Sequence, residues 1–291
     1  MAVQTEPITG VYIASFLQGT KIGAQTDGTL TASQDVREII TKQNSGFIEH
    51  LSGKQDWSAS HSGLALDDAG SKMIANGNAS LELEFDDTDD GTENPNYHVV
   101  ESLESIEASL QQNLAKTGGL DKELYTYRRP AERMIEVSTE GSYLDPASDP
   151  GAPYEEIWRA KDNADVVVAR LTIGPQTYEM DLAPGEVEIS AATGGEDATI
   201  SVTFMSDGEV TRTGTAFDSS VSMILDAFFN QTLLTLALQH VDDAGAPVTG
   251  STIYKGDAYL DTATLSVTDG EEITLDGEFS ADGPLERNIV S

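Results

Sequence analysis

Carboxylates are the groups with which this chain could most readily do chemistry: 50 Asp and Glu stand against 16 Lys and Arg. Their densest run begins Asp86-Asp87-Thr88-Asp89-Asp90-Gly91, where clustered oxygens and a glycine could hold calcium. A hand-type loop needs glycine sixth and Glu twelfth. Counted from Asp86, the sixth residue is Gly91 but the twelfth is Tyr97. Asp86, Asp87, Asp89 and Asp90 are therefore weak metal candidates, and a solvated acidic loop is the plainer reading. Paired acids for glycoside hydrolysis carry little signal here. With so many carboxylates, any fold brings two within about 5–10 Å.

Other chemistries find less. The chain has no cysteine, which removes disulfides, thiolate nucleophiles and thiolate metal sites. Its four histidines, His50, His61, His98 and His240, are scattered, with no His-x-x-x-His pair. Neither a phosphate-binding GxxxxGK[ST] loop nor a G-x-S-x-G elbow occurs. Asn78-Ala79-Ser80 and Asn230-Gln231-Thr232 match the glycosylation pattern without further support. No enzyme and no cofactor is expected.

The formal net charge is −34, spread along the chain, beside a hydrophobic content of 38%. A disordered acidic chain would lose its apolar periodicity, and this one keeps it, so the charge belongs to the surface of folded domains. Such a surface suits high salt, where screening removes self-repulsion. A halophilic source is the preferred reading, with a calcium-loaded extracellular protein as its rival. Gripping nucleic acid needs clusters of Lys and Arg. The one basic pair is Arg128-Arg129, with Glu123 and Glu132 close by. No apolar run approaches membrane-spanning length, and MAVQTEPITG lacks the marks of a signal peptide. The expectation is a soluble protein made in the cytoplasm, without a membrane partner.

Periodicity places these residues on elements. Val221, Ile224, Leu225 and Phe228 recur at helical steps, and Leu234, Leu236 and Leu238 then alternate as in a half-buried strand. Ala263, Leu265 and Val267 alternate next, followed by Ile273, Leu275, Gly277 and Phe279. Upstream, Trp57, Ala59 and His61 alternate with serines, which predicts a strand with Trp57 in the core and His61 as a packing or interface residue. Asp27-Gly28 signals a hairpin turn. Leu81, Leu83 and Phe85 make a short strand. Leu103, Ile106, Leu110 and Leu114, with Lys116 and Gly118-Gly119 behind them, predict a helix over 101–116. Residues 142–153 read as a linker, and 166–204 as short strands resembling a small β-sandwich.

Two blocks carry a family resemblance. Gly53 to Leu64, GKQDWSASHSGL, resembles a strand of the major tail tube protein of long-tailed viruses of bacteria and archaea. The C-terminal block resembles the same family through Ala227-Phe228, Gly270-Glu271, Ile273, Phe279, Gly283 and Leu285. That resemblance implies a mainly β fold, an antiparallel β-sandwich or half-barrel with a flanking α-helix, plus an inserted, mostly β module. It implies a tube domain made of 1–68 and 218–291, a connecting region with a helix at 69–139, and an inserted β-sandwich at 140–217. One enlarged sandwich is the alternative. It further implies homo-oligomeric, hexameric rings stacked into a virion tail, here of a virus of halophilic archaea. The genome would pass along an acidic lumen without specific binding. Tail terminator, tape measure and baseplate or tip proteins are the implied partners. Trp57, His61, Phe228, Ile273, Leu275, Phe279, Arg128 and Arg129 are the residues expected to serve fold or assembly. A halophilic cell-surface or adhesion β-domain protein is the competing class.

Overall fold

A computed structural model describes residues 13–22, 25–39, 49–65, 79–86, 95–100, 103–117, 125–143, 154–190, 198–242, 245–268 and 271–290. Among these are fifteen strands and two helices, and every strand pairing is antiparallel. The mainly β, antiparallel fold with flanking helix is as expected. The first four strands are β1 (Ile13–Leu17), β2 (Thr20–Lys21), β3 (Gln25–Ile39) and β4 (Glu49–Leu64). After them come β5 (Ala79–Asp86), β6 (Pro95–Val99), β7 (Leu103–Thr117) and β8 (Tyr127–Ser142). Helix α1 (Tyr154–Asn163) leads to β9 (Val167–Ile173), β10 (Gln176–Ser190) and β11 (Thr199–Gly214). Helix α2 (Ser219–Asn230) leads to β12 (Leu234–His240), β13 (Thr252–Thr268), β14 (Thr274–Ala281) and β15 (Glu286–Ile289).

Hydrogen bonding links the strands in two runs. One reads β2-β1-β12-β13-β14-β4-β3, and the other β6-β5-β9-β10-β11-β8-β7. They meet where the far half of β13 pairs with β7, from Thr262 opposite Gln111 to Thr268 opposite Ser105. A single apolar core holds residues from both runs, among them Trp57, Leu265 and Phe279 with Leu110, Leu171 and Phe204. Helix α2 presents Val221, Ile224, Leu225 and Phe228 to this core, as their spacing dictates. Asp218 caps it, its carboxylate accepting from the amides of Ser220 and Val221.

Two expectations are corrected. Residues 103–117 form strand β7, not a helix. Ile106, Ala108, Leu110, Gln112 and Leu114 are all two apart, so an i, i+4 stripe of even spacing also fits one face of a strand. Buried Ala108 and Gln112 fill the gaps that made it look helical. Asp27-Gly28 makes no hairpin turn: both residues lie inside β3, just past a bulge between Gln25 and Asp27. Asp207-Gly208 sits at an irregularity within the 16-residue β11. Helix α1, where Tyr154, Ile157 and Ala160 are buried, went unpredicted because it is only 10 residues long and follows directly on the Pro- and Gly-rich stretch read as a linker.

Candidate assembly surfaces

The two blocks of the tail-tube resemblance lie side by side. Strand β4 pairs with β14 from Thr274 opposite Leu64 to Ser280 opposite Ser58, although more than 200 residues separate them. Their inward faces make one surface: Trp57, His61, Leu275 and Phe279 are all buried, with Ile273 just before β14. Trp57 donates from Nε1 to the Gly283 carbonyl at 3.3 Å. Its ring lies on the bare backbone of Gly256, where a Cβ would stand 2.4 Å from Cζ2. Trp57, His61 and Phe279 line a cavity of about 30 Å³ together with Tyr254 and Leu285. Burial holds the His61 imidazole below its ordinary pKa, and Asp276 opposes this more weakly. Buried beside that cavity, His61 packs into the core face.

The basic pair divides. Arg128 sits where the two runs meet. Its guanidinium grips Asp56 of β4 through two bonds of 2.9 and 2.7 Å and also reaches the Ala281 carbonyl. Its amide donates to Asp282 at 2.6 Å. Arg129 is exposed on β8, opposite Ala115 of β7.

Phe228 is buried at the end of α2, where side chains of the second run close over the helix. Arg133 of β8 donates to the Phe228 carbonyl at 3.2 Å and to that of Phe229, and lies over the Phe228 ring. Phe229 stacks on Tyr178 at 6.1 Å, and Arg212 covers its other side while pairing with Asp226. Sequence reading missed Arg133 and Arg212, since nothing in their local pattern marks an arginine that caps a distant helix. The metal candidates Asp87, Asp89 and Asp90 lie outside the described residues, as does the side chain of Asp86. Among the described residues no group of three His, Asp or Glu could hold a metal ion.

Among the described residues two edges have no strand partner. Beyond Leu182, opposite the start of β9 at Val167, β10 runs on to Ser190 with only β11 beside it among the described strands. Strand β3 pairs, among the described strands, with β4 alone. Each carries an exposed apolar side chain, Ile189 at 43% and Val36 at 60%.

No protein-family model matches the chain, and no curated protein matches it. Solved structures do. The tail of an empty gene transfer agent particle, computed with helical refinement and C6 symmetry, is 14% identical with a TM-score of 0.36, over 47% of this chain and 96% of that one. The virion of a native gene transfer agent particle is 13% identical with a TM-score of 0.35, over 46% and 95%. The anti-feeding prophage baseplate, six-fold symmetrised, is 9% identical with a TM-score of 0.35, over 49% and 97%.

Proposed function

We propose that this chain is a structural subunit of a viral tail tube. It would build stacked rings of six tube units, with an acidic lumen along which a DNA genome passes during delivery. The observation that carries this reading is the β4–β14 ladder, which makes one buried face from the two sequence blocks that resemble tail tube proteins. Open strand edges support it. Unpaired amides and carbonyls invite another strand, and a ring satisfies every such edge at once.

Charge supports the lumen. Phosphates are repelled by carboxylates, so duplex DNA would slide without sticking along a wall built from chains of such acidic composition, −34 over the whole chain. The same charge opposes subunit contact at low ionic strength and makes assembly salt-dependent. The proposed setting is therefore the virion of a virus of halophilic hosts, with terminator, tape measure and baseplate proteins at the tube's ends. Sedimentation tests the reading: transfer from low to molar salt is expected to convert slow particles into fast, heterogeneous ones. Sedimentation unchanged at every salt contradicts it.

A further inference from the structure

The two runs of strands are the same structure twice, matched residue for residue. Hairpin β3–β4 sets Gln25 opposite Gly63 and Ile39 opposite Glu49. Hairpin β7–β8 sets Leu103 opposite Gly141 and Thr117 opposite Tyr127, each residue 78 positions later. Their bulges coincide as well, at Gln25/Asp27 and Gln34/Val36 against Leu103/Ser105 and Gln112/Leu114. Ladder β14–β4, from Thr274 and Leu64 to Ser280 and Ser58, corresponds to β11–β8, from Thr199 and Ser142 to Met205 and Glu136.

Other features follow the same correspondence. Helix α1 ends at Asn163 and α2 at Asn230, with Ala164 and Gln231 next in the left-handed region at φ 55° and 52°. Asp165 donates to the Ala160 carbonyl as Thr232 does to that of Ala227. Asp207-Gly208 answers Asp282-Gly283, both glycines at positive φ, and the Tyr178–Arg212 pair answers Tyr254–Arg287. The first unit thus comprises β1–β4, α2 and β12–β15. The second, β5–β8, α1 and β9–β11, is inserted whole between β4 and α2.

One contact lacks its counterpart. In the first unit the far half of β13 pairs with β7 of the second. Among the described residues the corresponding half of β10 faces no strand, and neither does the outer edge of β3, which corresponds to β7. Burial records the difference: Leu265 on β13 is 0% exposed, whereas Ile189, its counterpart on β10, is 43% exposed. Leu110 on β7 is buried, and its counterpart Ala32 on β3 is exposed.

We infer that a second copy of this chain places β3 against the open half of β10, repeating between molecules the β7–β13 joint made within each, so that three chains close a ring of six units. Carried over from Ala263 opposite Leu110 and Leu265 opposite Ala108, the register sets Val187 against Ala32 and Ile189 against Leu30. Glu186 and Glu188 then face Ser33 and Thr31, so no like charges meet across the ladder. The helix ends are consistent with a joint that must first be soluble. Phe228 and Phe229 at the permanent joint correspond to Lys161 and Asp162 at the open one. The count of three rests on the six-unit ring proposed above; the β10–β3 joint stands independently.

The chain lacks cysteine, so an engineered pair reports this joint without background. Opposed residues of an antiparallel ladder are close enough for a disulfide. Thr31→Cys with Glu188→Cys, oxidised in molar salt, is expected to give a denaturing-gel ladder ending at three chains. Ser109→Cys with Thr264→Cys, the same pair within one chain, is expected to cross-link monomers only and shows that such strands tolerate the change. Native mass spectrometry of the unaltered protein is expected to find rings of three 31.0 kDa chains, about 93 kDa. A ladder or mass reaching six chains overturns the count and leaves the tube reading intact. Absence of intermolecular links, with the control pair formed, overturns the joint. A ladder ending at three without tubes at any salt upholds the joint and removes the tube reading.

Discussion

Trp57, Gly256 and His61 set the tolerances of the face that joins the two tail-tube blocks. A methyl group at Gly256 would lie 2.4 Å from the indole, and the ring is held by its bond to Gly283. Gly256→Ala is expected to cost about 1–3 kcal/mol through overpacking, read from the denaturant midpoint. An unchanged midpoint would mean that Trp57 moves freely. His61 makes stability depend on pH in a fixed direction. Its folded pKa is depressed below 6.5 by burial. As pH falls through that value the unfolded chain takes up a proton that the folded chain refuses, so stability present above 6.5 is lost below it. His61→Thr, which copies Thr139 at the matching position, is expected to flatten that part of the stability–pH curve. A curve of unchanged slope between about pH 6.5 and 5 contradicts the assignment. Alternation around Trp57 and Phe279 made this face legible in the sequence. The partners of Arg128 and Arg133 were not, because they come from a strand and a helix more than 70 residues away.

Helix α2 is the element on which the two units depend most. Its inner face belongs to the first unit, while Arg133, Tyr178 and Arg212 of the second cover its end. Arg133 meets the carbonyls left over at the helix C-terminus, where positive charge is favourable. Arg133→Ala is expected to lower stability by about 1–2 kcal/mol and to speed amide exchange in the last turn of α2. Exchange that stays unchanged there would show that water replaces the guanidinium without loss. Elements with a unique period were readable: α2, β4 and β14 each admit one. Strand β7 was not, since an i, i+4 stripe of even spacing satisfies helix and strand alike. The long β10 and β11 read as several short strands because Pro184-Gly185 and Asp207-Gly208 are turn-like pairs. Here they sit at irregularities within continuous strands.

At the scale of the molecule, the duplication left almost no trace in the sequence. Matching positions are 66 to 78 residues apart, and the interval changes wherever a loop differs in length. Burial constrains only polarity and size, so Trp57 matches Ile135 and His61 matches Thr139, and identity survives only at scattered places. Asp207-Gly208 with Arg212, against Asp282-Gly283 with Arg287, is one signal at equal spacing, and Ile157, Ala160 and Asn163 against Ile224, Ala227 and Asn230 is another. Net charge acts at this scale too. At about 0.1 M salt the screening length is about 10 Å, and in molar salt it shrinks to about 3 Å. Chains of net charge −34 should therefore meet edge to edge only when screened. The most direct test of the tube account is cryo-electron microscopy of the purified protein in molar salt. Predicted are tubes or stacked rings whose cross-section shows six similar lobes around a hollow centre, dispersing when the salt is lowered. Single chains without rings or tubes at either salt, with virus particles present as seeds, would contradict it.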